Sequence, residues 1–86
     1  MEIVYTGPFK RDYKDLPQNI QRALGKALGF LLENIRHSSL RAKKLPGTEI
    51  WYARISRGYR FTFQLDNQTI ILRRAGTHDI LNRERK

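Results

Sequence analysis

The period of the apolar residues changes along the chain and divides it into elements. The opening EIVYT is rich in β-branched and aromatic residues and predicts a short strand. Gly7 and Pro8 punctuate it. In FKRDYKDL, Phe9, Tyr13 and Leu16 recur at helical spacing, and Pro17 both stops this helix and starts the next. From Pro17 to about Arg36, one stripe carries Ile20, Leu24, Ala27, Leu28, Leu31 and Ile35. Arg22, Lys26 and Glu33 fall largely away from it. Gly25 and Gly29 each weaken the helix by about 1 kcal/mol relative to Ala, and their expected use is close packing against a neighbour.

RHSSLRAKKLPGT follows, polar and basic, and ends in a Pro-Gly turn signal. It is the one long connector, and such loops often carry function. Three strands are predicted after it: EIWYARIS, YRFTFQL and TIILRRA. The separators RG and DNQ are short enough for antiparallel hairpins. The expected fold is therefore α+β, a single domain over residues 1–86. Two N-terminal helices pack on one face of a small twisted antiparallel sheet, in the order β-α-α-β-β-β.

Alternation then assigns the faces of the sheet. Trp51, Ala53 and Ile55 point one way, and Tyr52, Arg54 and Ser56 the other. Tyr59, Phe61, Phe63 and Leu65 form the apolar set of the next strand, against Arg60, Thr62 and Gln64. Ile70 and Leu72 alternate with Ile71 and Arg73. The apolar sets must bury against Leu24, Leu28 and Leu31. The opposite face then gathers Arg54, Arg60 and Arg73 from three adjacent strands, beside Tyr52. Like charges so placed repel unless solvent or an anion compensates.

Charge sharpens that picture. Seventeen Lys and Arg face eight Asp and Glu, a net charge of +9. From Arg36 to Arg60 there are seven Lys or Arg and one acid, Glu49. Such a field attracts polyanions, with nucleic acid the leading class. The basic residues are not gathered on one amphipathic helix, so no membrane partner is expected. A chain of 86 residues buries roughly 60–65% of its unfolded surface, enough for one modest core. Cysteine is absent, which removes disulfides and thiolate metal sites. No apolar run approaches the ~20 residues that span a bilayer. The opening lacks a basic segment followed by an apolar one, so a cytoplasmic location is expected.

Arginine suits phosphate because its planar fork donates two parallel hydrogen bonds. Tyr52 could stack a base, a contact worth about 1–3 kcal/mol in single-strand binders. His78, in RRAGTHDIL, is an imidazole just past a strand, the side-chain type that trades a proton near neutrality without a large shift. His37 reads as a solvated residue near a helix C-terminus. The two histidines are far apart in sequence, so no metal and no cofactor are expected. No phosphate-cradling glycine loop is present.

FKRDYKDLP, the long helix, SLRAKKLPGT, IWYARIS, GYRFTF and ILRRAGTHDIL, in this order, resemble the RelE/ParE superfamily of toxins from toxin–antitoxin pairs. The ending RRAGTHDIL is similar to the GTH ending of its YafQ-like branch. For the RelE and YafQ branches, the resemblance implies a metal-independent endoribonuclease that cuts mRNA on the ribosome. The 2′-hydroxyl attacks the adjacent phosphate. Arg60 would support the charged phosphorus, Arg54 and Arg73 could share that role, and His78 would act as general acid. The base stays open. Lys44 is a candidate if neighbouring positive charges ease loss of its proton. Lys43, Tyr52, Arg73 and Arg41 would contact RNA. The resemblance also implies a cognate antitoxin, small and partly acidic, over the basic face and the helices. Departures from the pattern are visible: no tyrosine follows Tyr59, and Leu81 and Asn82 stand where the YafQ-like branch has an aromatic. Relatives of the ParE branch poison DNA gyrase without cutting RNA, and others have lost toxicity.

Overall fold

Local chemistry sets the helix boundaries. In the computed structural model, which describes residues 1–84, β1 (Glu2–Tyr5) runs directly into α1 (Gly7–Asp15). The Thr6 hydroxyl accepts the Phe9 N–H at 3.4 Å, and Pro8 sits in the first turn, where its missing N–H costs nothing. Gly7 and Pro8 therefore begin a helix rather than interrupt the chain. Next, α2 (Gln18–Glu33) buries Ile20, Leu24, Ala27 and Leu31, the expected stripe. It stops short of Arg36 because the Asn34 side-chain oxygen captures the Arg36 N–H at 2.9 Å.

The sheet contains β1, β2 (Lys43–Lys44), β3 (Trp51–Ser56), β4 (Tyr59–Asp66) and β5 (Thr69–Thr77), in the order β1-β5-β4-β3-β2. The helices pack on one face, as expected. Phe9, Leu24, Leu40, Phe61, Phe63, Ile70 and Leu72 are buried between them.

Three features depart from the sequence reading. First, the sheet is mixed rather than wholly antiparallel: β1 lies parallel to β5, with Ile3 opposite Ile70 and Tyr5 opposite Leu72. Both helices and the meander separate these strands, so no hairpin turn dictates their direction. Second, the long connector is not loose. Leu40 and Leu45 are fully buried, Lys43 and Lys44 pair with β3, and Pro46-Gly47 makes a turn with Gly47 at φ +76°. The Thr48 N–H closes that turn on the Leu45 carbonyl at 3.1 Å, as a type II turn with glycine at its third position would. Third, α3 (Asp79–Glu84) follows β5. Its Ile80 and Leu81 join Leu45, Ile50 and Tyr52 in a second small apolar cluster. A Cβ on Gly76 would lie 3.0 Å from Ile80 Cγ2, so glycine lets α3 approach this closely.

One irregularity re-aims the end of β5. Thr62 pairs with Arg74 but Phe63 pairs with Leu72, so Arg73 is the extra residue of a bulge. Leu72 and Ala75 both reach the core, with two arginines between them. Arg74 donates to Asp12 of α1 at 2.6 and 3.2 Å, and the Ala75 N–H donates to the same carboxylate at 3.0 Å. That hydrogen bond to Asp12 raises the Arg74 pKa above its ordinary value, against the opposing effect of burial. One carboxylate thus ties α1 to the bulged strand.

Asp12→Ala removes the acceptor shared by Arg74 and Ala75. It is expected to lower the unfolding free energy by about 1–3 kcal/mol in urea titrations. Lys44→Ala breaks only the exposed 3.3 Å pair with Glu49 and should cost less than ~1 kcal/mol. A second prediction concerns Arg54 and Arg60, which face each other across β3 and β4. Like charges directly opposite are destabilising, so Arg54→Gln should stabilise the fold by about 0.2–1 kcal/mol. The gain should shrink in 1 M salt, where screening acts within ~3 Å. Equal melting temperatures of wild type and variant at low salt would refute it.

Candidate functional site

The register of the meander puts Arg54, Arg60 and Gly76 side by side across β3, β4 and β5. Core positions Ala53 and Phe61 alternate with the two arginines, so both side chains leave the strands on the side opposite the core, and Arg54 also borders α2 beside Ala23, Lys26 and Phe30. His78 comes two residues beyond Gly76, exposed, between the end of β5 and the start of α3. Its carbonyl accepts the Leu81 N–H at 3.0 Å, which holds the backbone around it in the first turn of the helix. The register thus brings Arg54 and Arg60 together, and His78 follows in the chain two residues after the strand position opposite Arg60.

Arg60 is held by carbonyls, not by a carboxylate. Its Nη1 donates to Ser56 O at 2.8 Å and to Tyr59 O at 2.9 Å, across the β3–β4 turn. These bonds fix the guanidinium without neutralising it. Burial and the charges of Arg54 and Arg41 hold its pKa below the ordinary guanidinium value, with Tyr52 opposing them. It remains a cation at neutral pH. Among the described residues, no acidic side chain lies within salt-bridge reach of Arg54, Arg60 or Arg41.

Arg73 belongs to a different environment. It donates to Gln64 at 2.7 Å and to both oxygens of Glu84 at 2.8 and 3.2 Å. Gln64 is four residues along β4 from Arg60, about 13 Å at strand rise. The Glu84 side chain is only 9% exposed in that pair. Arg73 therefore anchors the C-terminal end of α3, away from Arg54 and Arg60, with its charge already balanced.

The lysines divide between the two faces. Lys43 pairs with Tyr52, and cross-strand partners share a face, so it lies on the arginine side. Lys44 pairs with Trp51; its Nζ sits 5.8 Å from the Trp51 ring centroid and 3.3 Å from Glu49. Trp51 points with Ala53 toward the core side, which separates Lys44 from the face of Arg60. Tyr52 is half-buried, its ring packed in the cluster under α3. Thr62, also on this face, is fully buried, and its hydroxyl has no hydrogen-bond partner. Arg41 is exposed beside the site and holds φ +48°, a left-handed backbone that non-glycine residues rarely adopt.

Sequence reasoning missed two contributors to this face. Arg57 joins Arg41 and Arg54 around an open cleft at the end of β3. The second is α3 itself, which sets the position of His78 and covers part of the sheet. The apolar pair Ile80-Leu81 was the available signal, too short to separate a helical turn from a loop. Among the described residues, no three His, Cys, Asp or Glu side chains come together as a metal site. None of the described helices is long and apolar enough to cross a membrane.

No protein-family model matches this sequence, and none of the curated proteins matches it. Solved structures do match in shape. YafQ from E. coli strain BL21(DE3) superposes with a TM-score of 0.77 at 19% identity, over 93% of this chain and 96% of YafQ. A YoeB/ParE toxin from Agrobacterium tumefaciens gives 0.78 at 15% identity, over 91% of this chain and 99% of the toxin. A chain of the RelB-RelE antitoxin-toxin complex from Methanococcus jannaschii gives 0.76 at 20% identity, over 94% of this chain and 96% of that one. At these identities the likeness is one of architecture, and it is near-complete in both directions: this chain has the RelE/ParE toxin fold.

Proposed function

We propose that the chain is the toxin of a toxin–antitoxin pair and acts as a metal-independent endoribonuclease on mRNA bound to the ribosome. The observation that carries this reading is the row of Arg54 and Arg60, with His78 two residues after the strand position opposite Arg60, on a RelE/ParE fold. Two guanidiniums without carboxylate partners among the described residues form a cationic platform for a phosphodiester. A cation already held by backbone carbonyls needs little reorganisation when the phosphorus becomes crowded and more negative. His78 is exposed and able to approach the leaving oxygen.

In the proposed reaction, solvent water takes the proton of the substrate's 2′-hydroxyl as that oxygen attacks the adjacent phosphorus. The bond to the 5′-oxygen breaks, and His78 delivers a proton to that oxygen. The products are a 2′,3′-cyclic phosphate and a 5′-hydroxyl. Arg60 carries the transition-state charge, with Arg54 beside it. Lys43 and Arg41 hold the flanking backbone. Lys44, on the Trp51 side of the sheet, does not fit the part of base in this arrangement; Lys43 shares the correct face.

The partner is proposed from charge and from the neighbours. YafQ is also seen in a DinJ-YafQ toxin-antitoxin complex from E. coli, and the archaeal neighbour is seen as RelB-RelE. A small antitoxin with an acidic segment would compensate the +9 chain and block the arginine row.

Primer extension on mRNA in a purified translation system tests the enzyme. Wild type is expected to give discrete cuts in translated message only. Arg60→Ala should slow cleavage about 10²–10³-fold, and His78→Ala about 10²–10⁴-fold. Cleavage at wild-type rate by both variants would discard the assigned site, and no cleavage by wild type would discard the nuclease.

A further inference from the structure

Two hollows lie along the edge of the sheet beside β3, one on the Trp51 side and one around Arg54, and Arg41 walls both. The first, about 200 Å³, is lined by Ile35, Arg36, His37, Arg41, Ala42 and Trp51. That is smaller than the ~300–1,000 Å³ of a site for a drug-sized ligand. It suits one planar ring. Trp51 is half-buried and backed by Phe63, 6.2 Å away and tilted only 15°, so its indole is a supported plane. His37 is supported too. It stacks on Phe30 at 4.0 Å, and its Nδ1 accepts the Ser39 N–H at 3.2 Å. The second hollow is an open cleft lined by Ser38, Ser39, Arg41, Arg54, Ser56 and Arg57. It offers hydroxyls and three guanidiniums, and no acidic side chain.

The backbone between the hollows is held under strain. Leu40 is fully buried, and its carbonyl accepts the Arg54 N–H at 2.7 Å. Two residues after Arg41, the chain must already pair with β3. Pinned at both ends, it turns at Arg41 with φ +48°. An arginine gains nothing from that conformation over glycine or asparagine. Strain held at a cationic side chain between two cavities points to a ligand role for the side chain.

We propose that these hollows form a nucleotide-binding site, with a nucleobase against Trp51 and its phosphate on Arg41 in the cleft. The chemistry favours this occupant over simpler ones. An inorganic anion would use the cleft and leave the aromatic pocket idle. An apolar molecule would gain nothing from Arg41, Arg54 and Arg57. Only a flat ring joined to an anionic group uses both halves at once. The nucleotide is either free or one unit of a strand. The inference shares Arg41 and Arg54 with the proposed RNA face but does not need cleavage, because a chain that cuts nothing can still bind a nucleotide here.

Trp51 is the only tryptophan, so its emission reports the site directly. The full chain is titrated with adenosine 5′-monophosphate, with hexaadenylate and with inorganic phosphate. Saturable quenching by both nucleotide ligands, but not by phosphate, is expected. A lower midpoint for hexaadenylate, per nucleotide, identifies a strand-binding site; a lower midpoint for the monophosphate identifies a free-nucleotide site. Arg41→Gly removes the guanidinium while relieving the backbone, so folding is not at risk, and a circular-dichroism melt verifies it. The midpoint should rise about tenfold, the loss of one charge-assisted hydrogen bond. His78→Ala should leave quenching unchanged, which separates this site from cleavage. Quenching by phosphate equal to that by nucleotide would mean a simple anion site. That result, absent quenching, or an unmoved midpoint in Arg41→Gly would each overturn the proposal.

Discussion

The strict two-sidedness of β3 and β4 governs the molecule. Phe61 and Phe63 are fully buried against the helical layer, with Ala53 beside them. A strand cannot turn these residues inward without turning Arg54, Arg60, Thr62 and Gln64 the other way. A one-residue slip would place guanidiniums in the core, at a cost no small domain could bear. The charged face is thus a geometric consequence of the apolar one. The stronger the packing of Phe61 and Phe63 under Leu24, the more firmly Arg54 and Arg60 are held opposite each other.

That constraint is why much of the fold and part of the site could be read from sequence. The α2 stripe from Ile20 to Leu31 and the alternation through β3 and β4 are local periodicities, and both survive folding intact. What escaped is non-local. Whether β1 lies parallel or antiparallel to β5 depends on a partner more than sixty residues away. The bulge at Arg73 depends on Leu72 and Ala75 both finding core space and on Asp12 reaching across from α1. Nothing in TIILRRA announces that its two adjacent arginines will part company, one to Glu84 and one to Asp12. Likewise β2 has only two residues and no period to detect.

The last helix links these two levels. It packs on the charged side of the sheet through Ile80 and Leu81, and Gly76 provides the close approach. Glu84 at its far end neutralises Arg73, while His78 stands just before its first residue. Six residues therefore divide one basic face into a neutral end and a cationic end. On the same side of the sheet the Thr62 hydroxyl is buried with no hydrogen-bond partner among the described residues, at a cost of about 1–3 kcal/mol.

The partner of each arginine is a better guide to its role than its position. Arg74 and Arg73 meet carboxylates with little exposed surface, at 2.6 and 2.8 Å, and both hold elements together. Arg60 meets only carbonyl oxygens, and Arg54 and Arg41 lie near it without an acid among the described residues. A carboxylate cancels charge as it orients; a carbonyl orients and leaves the charge in place. Three unneutralised guanidiniums on neighbouring segments raise the energy of the empty protein, and an arriving phosphate lowers it twice, by its own attraction and by relieving their repulsion. Binding is then strongest where folding is least favourable, and here that place is the end of β3 and β4 shared by Arg41, Arg54 and Arg60.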